Sequence, residues 1–196
     1  MKKIVQRDDP VLRKTAENVA VEEIKSAKIQ NILREMKDAL DSQDDGVAIA
    51  APQIGYPLRI FVVSKKVEKI MQEEREMVLD TSPEQEDVKK PNKLSYSRDL
   101  VFINPIIKKI SKERRDVDEG CLSVRYLYGK VSRATKVKVE AYDENGKKFE
   151  RGGTGLLAQI FQHETDHLEG VLFIDKATDL EEIPPEVSKK MKRNEK

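Results

Sequence analysis

The sequence has few of the side chains that bind transition metals or form crosslinks. Its 196 residues include one cysteine, two histidines and no tryptophan. A single cysteine excludes the intrachain disulfide framework of many small secreted proteins. The first residues contain no apolar segment of the kind found in a secretory signal peptide. We therefore expect a cytoplasmic protein.

Long apolar runs and an excess of one charge are also missing. No segment approaches the roughly 20 consecutive apolar residues that a membrane-spanning helix needs. Lysine and arginine number 37 against 36 aspartates and glutamates, which gives a net charge of +1. A chain without a strong net field has no general attraction for nucleic acid or a membrane surface. We expect neither of them as a partner.

The apolar content is sufficient for one core. Hydrophobic residues make up 38% of the chain, and this content and length suit a single domain over residues 1–196. Residues 64–98 are polar and contain two prolines, so we expect a mobile insertion there with at most a short exposed helix. From about residue 180 we expect a short helix or a frayed, lysine-rich tail.

Apolar residues at helical spacing predict two helices. The first covers about residues 21–42, where apolar side chains recur among charged ones. The second follows the glycine-rich residues 151–155, which we expect to break the preceding sheet, and Gly170 can end it. Its apolar face carries Leu156, Leu157, Ile160, Phe161 and Leu168.

Short runs of β-branched and aromatic residues predict strands over residues 59–63 and 100–103, the second ended by an Asn-Pro pair. Alternation of apolar and polar residues over 130–142 predicts one half-exposed strand. Asn145-Gly146 suits the positive φ angles of a tight hairpin turn, after which residues 147–150 return. We therefore expect a β-hairpin directly before the second helix.

Both histidines fall in one short segment of the second predicted helix. His163 and His167 are four positions apart, so a helix presents both imidazoles on one face with Glu164 beside them. Catalytic metal sites normally have three protein ligands, and Cys121 is the obvious third. The set predicts a hydrolase in which the cation lowers the pKa of a bound water. Glu164 would accept the proton of that water without being a ligand.

Simpler interpretations of these residues remain open. The helix could be a surface helix with two solvated histidines and a plain surface glutamate, and Cys121 could be a buried apolar thiol. Attack on a carbonyl also needs donors for a negative oxygen. Gln53, near the end of a small-residue segment, and the backbone N–H of Leu122 could supply them, although alanine and glycine runs also suit close packing. The ligand set suits zinc and iron alike.

Three segments resemble the motifs of the peptide deformylases in their usual order: residues 46–53, 119–123 and 162–168. Residues 9–13 and 169–173 resemble the same family. The resemblance implies a single α+β domain with small antiparallel or mixed sheets around a central metal-binding helix. It also implies removal of the formyl group from the N-terminal formylmethionine of nascent polypeptides, with release of formate.

The resemblance also implies roles for individual residues. It gives Fe(II) as the usual metal, zinc as a less active occupant, Glu164 as the acid/base, and Gln53 and the Leu122 N–H as oxyanion donors. The implied metal ligands are Cys121, His163 and His167. The residues implied to bind the substrate are Val47, Ala48 and Gly120 along an added peptide strand, and Leu156 and Ile160 in the methionine pocket. Asp166 and Arg133 suit structural or second-layer roles.

Two departures from the family pattern leave other functions open. Ala48 stands where the family usually has glycine, and Arg125-Tyr126 stands where it usually has Pro-Gly. One alternative is therefore a deformylase-like peptide-binding protein with reduced or no catalysis, and another is a metallopeptidase that uses the same helix. The basic tail would also suit a contact with the ribosome through Lys189, Lys190, Lys192 and Arg193, but a solvated tail is the simpler interpretation.

Overall fold

The computed structural model describes residues 2–72 and 98–184. Within these ranges the α-helices are α1 (Ala27–Asp41) and α2 (Gly155–Leu168), and residues 66–72 are also helical. The strands are β1 (Ala48–Ala50), β2 (Ile60–Val63), β3 (Leu100–Ile110), β4 (Arg114–Cys121), β5 (Val124–Ala134), β6 (Lys136–Tyr142), β7 (Lys148–Thr154) and β8 (Thr178–Glu182). Short 3-10 helices cover Pro10–Arg13, Val21–Glu23, Ala51–Ile54 and Phe173–Asp175.

The strands form two antiparallel sheets. A five-stranded sheet has the order β1-β2-β3-β6-β7, and a three-stranded sheet has the order β4-β5-β8. An isolated parallel bridge joins Glu17 and Leu58. The apolar face of α2 is buried against the larger sheet, where Leu157 and Phe161 pack with Phe61 and Phe102. This arrangement confirms the expected α+β class with small sheets around a central helix.

The first helix begins later than its apolar pattern predicts. Val21–Glu23 forms a separate 3-10 turn, and Ser26, with extended backbone, accepts a hydrogen bond from the Ile29 N–H at 3.3 Å. A serine in this position satisfies one of the unpaired N–H groups at the start of a helix, so α1 begins at Ala27. Its buried face is Ile29, Ile32, Leu33, Met36, Ala39 and Leu40.

The second helix contacts strands of both sheets. Gln162 is buried and hydrogen-bonds both backbone groups of Ala134, accepting at 2.9 Å and donating at 3.0 Å. Gly153, at the end of β7, lets the helix approach closely, because a Cβ there would lie 3.0 Å from Leu157 and Phe161. The first contact fixes α2 to β5 of the smaller sheet, and the second packs it against β7 of the larger sheet.

Several predicted strand boundaries are wrong. The strand predicted over 130–142 is two strands, β5 and β6, because the chain passes from the small sheet to the large one at Thr135. The Asn-Pro pair does not end β3: Asn104 adopts φ 51 within a register shift, and its amide hydrogen-bonds both backbone groups of Val19. The glycine-rich residues 151–155 do not break the sheet at their start, because β7 continues through Gly152 and Gly153 to Thr154. In the hairpin turn Gly146 has positive φ, but Asn145 does not.

The predicted insertion begins later than residue 64. Ser64 is buried, and Val67, in the helical residues 66–72, is only 2% exposed and packs in the core with Met71 at its edge. Residues 73–97 lie outside the described residues. At the other end, β8 pairs with β5 where a tail was expected to begin, and residues 185–196 also lie outside the description. Among the described residues, no helix is long and apolar enough to cross a membrane.

Candidate active site

The three predicted metal ligands lie together between the two sheets. His163 and His167 lie one turn apart on α2 with ring centroids 5.0 Å apart, and Cys121 ends β4. The Cys121 Sγ lies 3.2 Å from His167 Nε2. One candidate ligand atom from each residue lies within 4.8 Å of the other two. The strand and the helix therefore bring Cys121 next to two histidines that lie 42 and 46 positions later in the sequence.

A buried charge network orients His163. Its Nδ1 lies 3.0 Å from Glu119 Oε2, which leaves Nε2 as the ring nitrogen available to the cluster. Arg133 donates to both carboxylate oxygens of Glu119, at 2.7 and 2.9 Å, and to Asp166 at 2.7 Å. Burial would raise the pKa of Glu119, but the hydrogen bonds from Arg133 and His163 hold it at about 2. Glu119 is therefore a carboxylate at every ordinary pH and fixes the imidazole orientation.

The chemistry of the cluster fits a transition-metal cation. Burial would raise the pKa of the Cys121 thiol, but the imidazoles of His167 and His163 lower it to about 5. The sulfur is therefore a thiolate at neutral pH, which is the form that binds metals. One thiolate with two imidazoles and no oxygen ligand matches the preference of zinc or iron rather than calcium or magnesium. The three side chains therefore suit a divalent transition metal.

Glu164 is buried on the same helix beside the cluster. Burial raises its pKa to about 7, although the two histidines oppose this shift. Its Oε2 atom is buried and has no hydrogen-bond partner among the described residues. A carboxyl group that titrates near neutral pH can both accept and release a proton.

Gln53 is held with its amide nitrogen toward the sulfur. Its Oε1 accepts a hydrogen bond from the Ala50 N–H at 2.8 Å, and an N–H can only donate, so the amide orientation is determined. The Nε2 then lies 3.2 Å from Ser123 Oγ and 3.5 Å from Cys121 Sγ. Leu122 follows Cys121 in the two-residue turn that joins β4 to β5. Both predicted oxyanion donors therefore lie next to the cluster.

A cavity of about 310 Å³ opens onto this cluster. The edge strand β1 with the residues before it forms one wall, and β4 with the start of β5 forms the other. All five residues predicted to bind the substrate line this cavity: Val47, Ala48, Gly120, Leu156 and Ile160. Ala48, in β1, does not have positive φ. The alanine that replaces the usual glycine is therefore accommodated without backbone strain.

Sequence reasoning gave Glu119 no role, although the residue is central to the network. In a strand, residues two positions apart face the same side, so Glu119 and Cys121 would have been paired had β4 been predicted. The strand is almost entirely polar and only Glu119 in it is buried, so the usual apolar signal is missing. The departure at Arg125 suggested a reshaped cleft rim but no partner, and its guanidinium reaches Asp45 across the cavity at 3.0 Å. Asp118, Tyr128 and Gln159 also line the cavity without having been predicted.

The fold and the site define a class: an α+β protein with a Cys-His-His cluster on a core helix, beside a buried carboxyl group and a cleft between two sheet edges. A sequence model of the polypeptide deformylase family matches residues 1–182. The peptide deformylase of Desulfitobacterium hafniense is 40% identical over 175 residues, which are 89% of this chain and 93% of that protein. The chain therefore belongs to the polypeptide deformylase family.

Plant and structural relatives agree with this membership. Peptide deformylase 1A of Arabidopsis thaliana, a chloroplastic/mitochondrial protein, is 38% identical over 173 residues, 88% of this chain. The chain spans only 60% of the length of that relative. A solved peptide deformylase from Legionella pneumophila matches with a TM-score of 0.68 and 32% identity, and the match covers 100% of this chain and 97% of that structure.

Proposed function

We propose that this protein removes the formyl group from the N-terminal formylmethionine of nascent polypeptides and releases formate. The convergence of Cys121, His163 and His167 with the buried carboxyl of Glu164 carries the proposal. Family membership supports the same reaction. The reaction adds water across the amide, breaks the bond between the formyl carbon and the methionine nitrogen, and leaves formate and a free amino terminus.

In this proposal Cys121, His163 and His167 hold one divalent cation. When bound, the cation supplies Lewis-acid chemistry: it lowers the pKa of water and polarises a carbonyl. Iron(II) is the metal that we propose, on the family resemblance, with zinc as a less active occupant. Glu119 keeps the His163 ring in the orientation that leaves Nε2 free for the metal.

Glu164 moves the proton. Its pKa of about 7 matches the task of accepting a proton from the attacking water and delivering it to the methionine nitrogen as the C–N bond breaks. The same carboxyl is then ionised again for the next turnover. Burial both raises its pKa and keeps bulk water away from this exchange.

The developing negative charge on the formyl oxygen is stabilised by hydrogen bonds. Gln53 is held by Ala50 so that its Nε2 faces the cluster before any substrate arrives. We assign the second donor to the N–H of Leu122, in the turn beside Cys121. Donors fixed in advance are effective because they need no reorganisation during the reaction.

We propose that the peptide adds as an extended strand between the two sheet edges. Val47 and Ala48 of the β1 edge and Gly120 of the β4 edge supply the backbone contacts. Leu156 and Ile160 line the methionine pocket. We also propose that the protein acts in the cytoplasm, because its proposed substrate is formed there during translation. Contact of the basic tail with the ribosome is a further proposal, and its residues lie outside the described ranges.

An assay of formate release from formyl-Met peptides tests the function. The protein is loaded with Fe(II) in the absence of oxygen. We expect turnover with wild-type protein and at least about a hundredfold loss with Glu164→Gln, because proton transfer contributes 10²–10⁴-fold. The variant should still bind one metal per chain. A metal-loaded wild-type protein that releases no formate would contradict the proposal.

A peptide with an acetylated amino terminus is the matched control substrate. The proposed enzyme should leave its internal bonds intact, whereas a metallopeptidase would cut them. A protein that only binds peptides would retain formyl-peptide affinity and show no turnover, and Glu164→Gln would then change nothing that can be measured.

A further inference from the structure

Arg125 bridges the two walls of the cavity. It lies at the start of β5, and its Nη1 lies 3.0 Å from Asp45 Oδ2 on the opposite wall. Its Nη2 also donates to Gln43 Oε1. The two side chains of the ion pair are only 28% and 25% exposed. One guanidinium therefore holds two residues of the segment that leads from α1 into β1.

The β5 end of this bridge is firmly anchored. Val124, the preceding residue, is buried in the core of the small sheet. The carbonyl of Tyr126, the following residue, accepts a hydrogen bond from the Ile183 N–H at 2.8 Å. Tyr126 itself adopts φ 68, a left-handed conformation that is unfavourable for a residue with a Cβ. The chain therefore holds an unfavourable backbone conformation directly beside Arg125.

The other end of the bridge needs a support of this kind. Residues 42–46 connect α1 to β1 without regular structure, and β1 is only three residues long and lies at the edge of its sheet. Lys66 Nζ contacts the Gln43 carbonyl at 3.1 Å from the side of the larger sheet. Arg125 supplies the tie from the smaller sheet. Asp45 is two residues before Val47, which we assigned to peptide binding.

We propose that Arg125 is a positioning residue that sets the width of the substrate cleft and holds β1 ready to pair with the peptide beyond the formylmethionine. The proposal rests on the proposed function. An ion pair between the two walls therefore supports the substrate-binding edge.

Kinetics with substrates of two lengths test the role. For formyl-Met-Ala-Ser, Arg125→Ala should raise KM about tenfold and leave kcat within about twofold, because a misplaced wall weakens peptide pairing without touching the reacting atoms. For formyl-Met amide, which has no further residues to pair, KM should change less than about twofold. Arg125→Lys should give an intermediate KM, because lysine keeps the charge but lacks the planar guanidinium that contacts both Asp45 and Gln43. Equal losses for both substrates, or no loss, would overturn the proposal.

A matched control and a double variant separate this role from general stability. Lys37→Ala breaks an ion pair with Glu144 of similar exposure, 30% and 25%, whose residues do not line the cavity, and should leave both KM values unchanged. Asp45→Asn should reproduce most of the effect of Arg125→Ala, and the double variant should add little, because the two residues act as one pair. Fully additive effects would contradict the bridge.

Hydrogen exchange gives a readout that needs no turnover. In Arg125→Ala the amides of residues 43–48 should exchange at least about tenfold faster, while those of β6 stay unchanged. Unchanged exchange over 43–48 would overturn the proposal even in an active enzyme. If wild-type protein released no formate, the proposed function would fail, and exchange together with formyl-Met-Ala-Ser affinity, measured by calorimetry, would still decide the role of Arg125.

Discussion

At the scale of single residues, Glu119 links the Cys-His-His cluster to the fold. Its carboxylate accepts from Arg133 and lies against His163, so one buried charge joins β4, β5 and α2. Arg133 also reaches Asp166, one residue before His167. Removal of one partner from a buried ion pair is costly, because the other charge is left without compensation.

Glu119→Gln should weaken both the fold and the metal site. We expect a loss of about 3 kcal/mol in the free energy of unfolding, at the lower end for a broken buried pair because Asp166 still holds Arg133. Metal affinity should fall about 10- to 100-fold as the His163 ring loses its support. Urea unfolding and a competitive metal titration measure the two effects. Glu113→Gln is the control, because Glu113 forms an exposed pair with Arg115. If Glu119→Gln had as small an effect as Glu113→Gln, the buried network of Glu119, Arg133 and His163 would not have this role.

The residues of the site were predictable to the extent that local spacing determines them. His163, Glu164 and His167 follow from helical geometry alone, and Cys121 follows because it is the only cysteine. Glu119 and Arg125 were not assigned, because their roles depend on partners 14 to 82 positions away in the sequence. No local pattern reports such distances.

At the scale of elements, the end of α2 is set by a single glycine. Gly170 has φ 73, and a Cβ there would lie 2.7 Å from the Arg13 carbonyl oxygen. The helix that carries both histidines can therefore end against the N-terminal segment only if this residue has no side chain. Arg13 is in turn paired with Asp175 in the 3-10 turn that follows.

Gly170→Ala should destabilise the protein by about 2–4 kcal/mol, because it combines a left-handed backbone with a steric clash. Thermal unfolding would measure the change. Gly152→Ala is the matched control, since a Cβ there meets nothing within 4 Å and should alter stability by less than about 1 kcal/mol. Similar melting temperatures for the two variants would refute this explanation of the helix end.

Asp175 should make this region sensitive to acid. Burial would raise the pKa of Asp175, but hydrogen bonds from Arg13 and the Leu172 N–H hold it below its ordinary value. A group whose pKa is lower in the folded state stabilises the fold above its unfolded pKa of about 4 and loses this contribution as the pH falls further. Asp175→Asn should therefore be less stable than wild type at pH 7, with the difference shrinking below about pH 4. Urea unfolding across this pH range measures the difference in stability between the two proteins. A difference that does not change with pH would show that the Arg13–Asp175 pair is unimportant.

Elements with strong periodicity were predicted and those without it were not. The helix of the histidines is confirmed because its apolar residues recur on the face that packs in the core. The strand over Ile60–Val63 is confirmed because it is a continuous apolar run, and all four residues are buried. The passage of the chain from the small sheet to the large one at Thr135 was not predicted, because apolar and polar residues alternate in both flanking strands. The strand β4 was not predicted because it is polar. Assignment of a strand to one of two sheets depends on long-range pairing, which alternation does not encode.

At the scale of the molecule, the cluster joins two sheets that have separate apolar cores. Cys121 packs at the edge of the small-sheet core, while α2 packs in the core of the large sheet. A metal bound by Cys121, His163 and His167 would therefore crosslink the two parts. The α+β class was predictable from the family resemblance, whereas the single domain over residues 1–196 stays a prediction.

Metal removal should lower the stability of the whole fold. Ligand at 100 times its dissociation constant adds about 2.7 kcal/mol, which corresponds to roughly 5–10 °C in Tm for a chain of this length. Scanning calorimetry of metal-loaded and chelator-treated protein would measure the shift. Cys121→Ser should show little or no shift, and an equal shift in the variant would place the stabilising metal elsewhere.

The proposed function depends on one sulfur and two imidazoles binding the same ion. X-ray absorption of the zinc-loaded protein at the zinc edge tests this directly. We expect one sulfur at about 2.3 Å and two imidazole nitrogens at about 2.0–2.1 Å, with the sulfur contribution lost in Cys121→Ser. A spectrum of wild-type protein without sulfur in the first coordination shell would contradict the account.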